Sequence, residues 1–167
     1  SILDSDVASS LNHLLRNADG QRLAILVNDF GDIAIDADLI EAQSDDVISL
    51  SGGCVCCSYG NDLFMAMSDL SKMEPAPDHV ILEASGVALP GAIASSVSLL
   101  PDYSVEGIVV LVDSETVRAR ANDKYIGDTI LRQLSDADIL VLNKADLVDN
   151  DSRIQTRNWL KEVSEGC

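Results

Sequence analysis

Arg22-Leu23-Ala24-Ile25-Leu26-Val27-Asn28 sets five consecutive apolar residues between two polar ends. A run that does not alternate suits a parallel strand buried on both faces, not a strand with one wet side. Upstream, Leu11, Leu14 and Leu15 fall at i, i+3, i+4, which predicts a helix from about Ala8 to Asn17, stopping near Gly20. Downstream, Asp46-Val47-Ile48-Ser49-Leu50, His79 to Glu83, Gly107 to Asp113 and Ala137 to Asn143 read as further strands. Helices are expected from Leu63 to Met73, ended by Pro75 and Pro77, and from Tyr125 to Leu134. A last helix is expected from Asp151 to Val163, capped by Asp151 or Ser152. Strands alternating with helices imply an α/β fold, a mostly parallel sheet flanked by helices. No repeat, low-complexity stretch or linker interrupts the pattern, so residues 1–167 are expected to form one domain.

Composition narrows the function. With 47% hydrophobic residues the chain can bury a core. Eleven Lys and Arg against 28 Asp and Glu give a net charge of −17. Such a chain repels phosphate backbones and anionic lipid, which argues against nucleic-acid and membrane-surface binding and leaves room only for a local nucleotide site. No apolar run approaches the ~20 residues that span a bilayer, and the first residues carry no basic start or apolar core of a signal peptide. Three of the four cysteines fall within four positions, unlike a secreted disulfide framework, so a reducing, cytoplasmic location is expected.

In open α/β sheets the working residues sit at the carboxyl ends of strands. Here those ends read Asn28-Asp29, Glu83, Asp113 and Asn143-Lys144, each polar directly after an apolar run. Asn143-Lys144-Ala145-Asp146 has the N-K-x-D form of guanine recognition. The Asp carboxylate accepts hydrogen bonds from guanine N1–H and the exocyclic amine. The Asn braces the loop and approaches the guanine edge, and the Lys stem lies along the base plane. Adenine lacks the matching donors. The plainer reading is a polar strand-to-helix turn.

Gly52-Gly53-Cys54-Val55-Cys56-Cys57-Ser58 clusters three thiols on a glycine-opened loop. Thiolates are soft ligands suited to zinc or another transition metal. The alternative is three small buried hydrophobes; a redox dithiol is disfavoured by the Cys-x-Cys-Cys spacing. Asn28-Asp29-Phe30-Gly31-Asp32, with Asp36, puts carboxylates after a strand, where they either help hold a metal or form a solvated acidic loop. Glu83-Ala84-Ser85-Gly86 could position water or metal near a terminal phosphate, with the Gly86 N–H as donor. His13, His79 and Trp159 read as structural, and Cys167 as incidental.

Taken in order, Leu11 to Leu15, Asn28 to Gly31 with Asp36, Gly52 to Cys57, Glu83 to Gly86 and Asn143 to Asp146 resemble the CobW-like family of P-loop GTPases, relatives of the urease and hydrogenase nickel-insertion GTPases. The Gly-Gly-Cys-x-Cys-Cys element is the most specific of these. The resemblance implies a P-loop NTPase-like G domain that binds and hydrolyses GTP with Mg²⁺ and delivers zinc, cobalt or a similar ion to a metalloprotein client. It places guanine recognition on Asn143, Lys144 and Asp146, catalytic support on Glu83 and Gly86, and metal on Cys54, Cys56, Cys57 and Asp29.

One family element is missing. In ungapped alignment Asp6 stands where the last glycine of the phosphate loop belongs, Val7 where its lysine belongs and Ala8 where its magnesium-binding hydroxyl belongs. Asp4 and Asp6 add negative charge at a helix start, where a phosphate would sit. This implies a G domain incomplete at both ends, without the family's C-terminal domain and inactive in hydrolysis as this chain. The competing function is a nucleotide-free metal-binding or scaffold domain on the same fold.

Overall fold

The computed structural model describes residues 10–28 apart from 12, 15 and 19, residues 47–52, and residues 61–164. The chain divides into two compact units, Ser1–Ala88 and Leu89–Cys167.

In the first unit, strands β1 (Leu23–Asn28), β2 (Val47–Gly52) and β3 (His79–Glu83) form a parallel sheet in the order β2-β1-β3. The apolar run is the central strand. Leu23, Ala24, Ile25 and Leu26 are all buried, on both faces, as a non-alternating sequence requires. Helix α1 (Asn61–Ser71) buries Leu63, Met67 and Leu70, spaced i, i+4, i+7. Ahead of β1, residues 10, 11, 13, 14 and 16 are helical, and Gly20 follows at φ 81°. The expected three-leucine stripe is not fully buried. Leu11 is 4% exposed but Leu14 is 50% exposed, and Leu15 lies outside the described residues.

A reciprocal clasp fixes the start of this sheet. The Arg22 N–H donates to the Asp78 carboxylate at 2.8 Å, while the Asp78 N–H donates back to the Arg22 carbonyl at 2.9 Å. The next residues, Leu23 and His79, are the first register pair of β1 and β3.

The second unit runs α2 (Pro90–Val97), β4 (Val109–Asp113), α3 (Val117–Ala121), α4 (Gly127–Ser135), β5 (Ile139–Asn143) and α5 (Asn150–Val163). Strands β4 and β5 pair in parallel. One face of the pair packs on Val117, Leu134 and Leu160 through Val112, with Val110, Leu140, Leu142 and Trp159 around it, so Trp159 is core as expected. The same clasp recurs: Ile108 N–H donates to the Asp138 carboxylate at 2.7 Å, and Asp138 N–H donates to the Ile108 carbonyl at 2.9 Å. These two residues close the entry to the pair, and both strands begin two residues later than the sequence suggests.

Helices α2 and α3 were not anticipated. The cap of α5 is Asp149, not Asp151 or Ser152: its carboxylate accepts the Ser152 N–H at 2.8 Å and the Ser152 hydroxyl at 2.8 Å. Among the described residues no helix is long and apolar enough to cross a membrane.

Candidate functional site

Asp113 and Asn143 are the last register pair of β4 and β5, so the two strand ends finish side by side. The Asn143 carbonyl accepts from the Ser114 N–H at 3.1 Å and also from the Ser114 hydroxyl, which ties the first residue beyond β4 to the end of β5. Lys144 follows at φ 53°, the one non-glycine residue with positive φ among the described residues. A turn closes behind it through Leu147 N–H to Lys144 carbonyl at 3.1 Å. Asp146 rides on this turn and is exposed. The three residues expected to read guanine thus share one sharp turn at a strand's carboxyl end, with the carboxylate facing water.

The electrostatics bring in a residue that sequence reasoning left unassigned. Lys144 Nζ donates to Asp113 Oδ2 at 3.1 Å, both side chains being 30% exposed. The other carboxylate oxygen accepts the N–H groups of Glu115 at 2.9 Å and Thr116 at 3.0 Å. Burial pushes the Asp113 carboxyl up, but the Lys144 hydrogen bond, the two N–H donors and the Lys144 charge outweigh it, leaving it below the usual carboxylate range. The available signal was its place as an acidic residue ending an apolar run; its partner depends on strand register. Beside this edge, an open groove of about 520 Å³ runs between α3 and the start of α5, lined by Ser114, Glu115, Arg118, Asn122, Val148 and Thr156. Its lining does not include Asn143, Lys144 or Asp146.

In the first unit, Glu83 ends β3 opposite Val27, and Asn28 is the register partner of Gly52. The strand ends preceding Asp29 and the cysteine cluster are therefore neighbours. Gly86 is exposed, near the turn that Ala88 N–H closes on the Ser85 carbonyl at 2.9 Å. A Cβ there would meet nothing within 4 Å, so packing in this chain does not demand glycine. Asp29, Cys54, Cys56 and Cys57 lie outside the described residues, as do Asp4, Asp6, Val7, Ala8, Asp32, Asp36 and Cys167. Among the described residues no cluster of three His, Cys, Asp or Glu side chains could hold a metal. His13 is exposed on the helical segment before β1, and His79 opens β3.

Parallel strands with a sharp Asn-Lys-x-Asp turn at a carboxyl edge have the architecture of a nucleotide-binding α/β protein. The chain matches the CobW/HypB/UreG nucleotide-binding domain over residues 8–166, across both units, and belongs to that family. It is 34% identical over 175 residues to the zinc chaperone CobW of Sinorhizobium sp, covering 88% of this chain and 49% of the relative. The zinc-regulated GTPase metalloprotein activator 1 of Schizosaccharomyces pombe is 28% identical over 175 residues, covering 97% of this chain and 41% of that protein. The crystal structure of the Zn(II)-bound YjiA GTPase from E. coli superposes with a TM-score of 0.65 over 96% of this chain and 51% of its own, at 20% identity. That likeness shows the shared P-loop NTPase-like fold of parallel strands and flanking helices. The chain spans about half the length of the curated relatives it matches.

Proposed function

We propose that this chain is the guanine-nucleotide-binding part of a metallochaperone that carries zinc, or cobalt, to a metalloprotein client in the cytoplasm. The observation that carries the reading is the Asn143-Lys144-Ala145-Asp146 turn at the end of β5, with its exposed Asp146 carboxylate, which supports a guanine-reading role. Membership of the CobW/HypB/UreG family supports it, as do relatives named zinc chaperones. For the cargo ion, Cys54, Cys56 and Cys57 supply soft thiolates, and the pairing of Asn28 with Gly52 supports recruiting Asp29 to the same ion.

The chain fits a guanine nucleotide at its base end and not at its phosphate end. Val7 and Ala8 stand where a lysine and a hydroxyl would clamp phosphate and magnesium. A bound magnesium would neutralise phosphate charge, but these side chains supply it no ligand. Glu83 and Gly86 remain assigned to supporting hydrolysis in a chain that carries the full loop. This chain is expected to bind nucleotide through its base and not to turn GTP over. The Val7 and Ala8 substitutions favour, as second reading, a nucleotide-free metal-binding domain on the same fold. Calorimetric titration with GDP and ADP, with and without zinc, separates the two: selective GDP binding supports the first, and zinc binding without any nucleotide binding supports the second.

A further inference from the structure

We infer that Asp113 is a positioning residue for the base-reading turn, its carboxylate holding the Lys144 side chain and, through it, the left-handed backbone that presents Asp146. The inference rests on the guanine-site reading of Asn143, Lys144 and Asp146 proposed above. A left-handed conformation brings an L-residue's Cβ too close to the following carbonyl oxygen, and a lysine side chain lacks the short local hydrogen bond by which Asn or Asp offsets this. Contacts beyond the lysine's own backbone therefore help hold Lys144 at φ 53°. Restraints on it include the Lys144 Nζ to Asp113 Oδ2 bond at 3.1 Å, the Leu147 N–H to the Lys144 carbonyl, and the Ser114 N–H on the preceding Asn143 carbonyl.

Asp113 is unusually well placed for this duty. Its Oδ1 is fixed by the Glu115 and Thr116 N–H groups, so Oδ2 faces Lys144 from a carboxylate whose rotamer is already set. A pre-set partner spares half the side-chain ordering that weakens ordinary surface ion pairs. The backbone register of Asp113 with Asn143 keeps the carboxylate one residue from the lysine it holds. The Lys144 ammonium is thereby held against the end of the neighbouring strand.

The test uses Asp113→Asn, which keeps an oxygen for the Glu115 and Thr116 N–H groups but turns an NH₂ toward Lys144, and Lys144→Met, which keeps the stem without the charge. In nucleotide-free protein, amide exchange at Leu147 is expected to accelerate several-fold in Asp113→Asn, while exchange at Val112 in the core of β4 stays unchanged. Each single variant is expected to weaken GDP binding about threefold to fivefold, the range of a partly exposed ion pair. The double variant should be no weaker than Lys144→Met alone, because Asp113 acts through the lysine. Multiplying losses, or an unchanged Leu147 exchange rate, would overturn the inference while leaving the guanine reading intact. A wild-type chain that holds GDP no better than ADP would overturn both.

Discussion

The Asp136 carboxylate accepts the Gly91 N–H at 3.0 Å, so the start of α2 is capped by a residue 45 positions away while Leu89, its own N-cap, contributes no side-chain bond. A Cβ built on Gly91 would lie 2.7 Å from that carboxylate oxygen. Gly91→Ala must therefore displace the cap. It is expected to destabilise the wild type by ~1 kcal/mol, the usual value of a lost cap less the helix propensity gained. In an Asp136→Ser background, with clash and cap both gone, the same change should be neutral or stabilising. Denaturant unfolding of the four proteins checks this, and an equal effect of Gly91→Ala in both backgrounds would sink it.

Acid should loosen α5. The Ser152 N–H and then the Ser152 hydroxyl hold the Asp149 carboxyl below the usual range. A carboxyl depressed in the folded state contributes stability that is present above its unfolded pKa of about 3.9 and lost as pH falls through the folded value. Asn caps equally well without titrating. Asp149→Asn is expected to show a shallower fall of melting temperature below pH 4 than wild type. Identical pH profiles would remove Asp149 as the cause.

Base choice should reside in one carboxylate. Asp146→Ala is expected to erase any preference for GDP over ADP while leaving the fold unchanged, because Asp146 is exposed. Competition titration with the two nucleotides measures it. A preference that survives the substitution means that the base is read elsewhere.

Thiolate ligation has an optical signature. Cobalt(II) titration is expected to give a sulfur-to-metal charge-transfer band that needs Cys56 with Cys54 or Cys57, the remaining positions going to Asp29, another carboxylate or water. Affinity should fall with pH as protons compete for the thiolates. The same band and affinity in Cys56→Ser would remove Cys56 from the ligand set.

The elements legible in the sequence were those with a strong local pattern. The apolar run at 23–27 suits a strand buried on two faces, and it is the central strand of a sheet. Helix α2 was missed because Pro90, Gly91, Ser95 and Ser96 are poor helix formers by propensity. Its start is held by the distant Asp136, while Ser95, Ser96 and Ser98 turn their hydroxyls back to carbonyls four residues earlier. Helix α3 is five residues long, too short to show a period. The α5 cap was ambiguous because Asp149, Asn150, Asp151 and Ser152 are all good cap residues in a row. Asn143, Lys144 and Asp146 were legible because one turn carries all three. Asp113 was not, because its contact with Lys144 exists only once two strands 30 residues apart are in register.

The clasps of Arg22 with Asp78 and of Ile108 with Asp138 divide labour between the two edges of each sheet. Each is a two-way bond at the amino edge, where its strands begin, so pairing is set before the chain reaches the opposite edge. A strand whose alignment is settled at its entry does not depend on what leaves its exit. Segments after Asn28, Glu83, Asp113 and Asn143 can therefore be lengthened, shortened or exchanged without slipping the strands that bear them. Loop grafting aimed at a new cargo or a new base would be best confined to those four exits, with Asp78 and Asp138 left untouched.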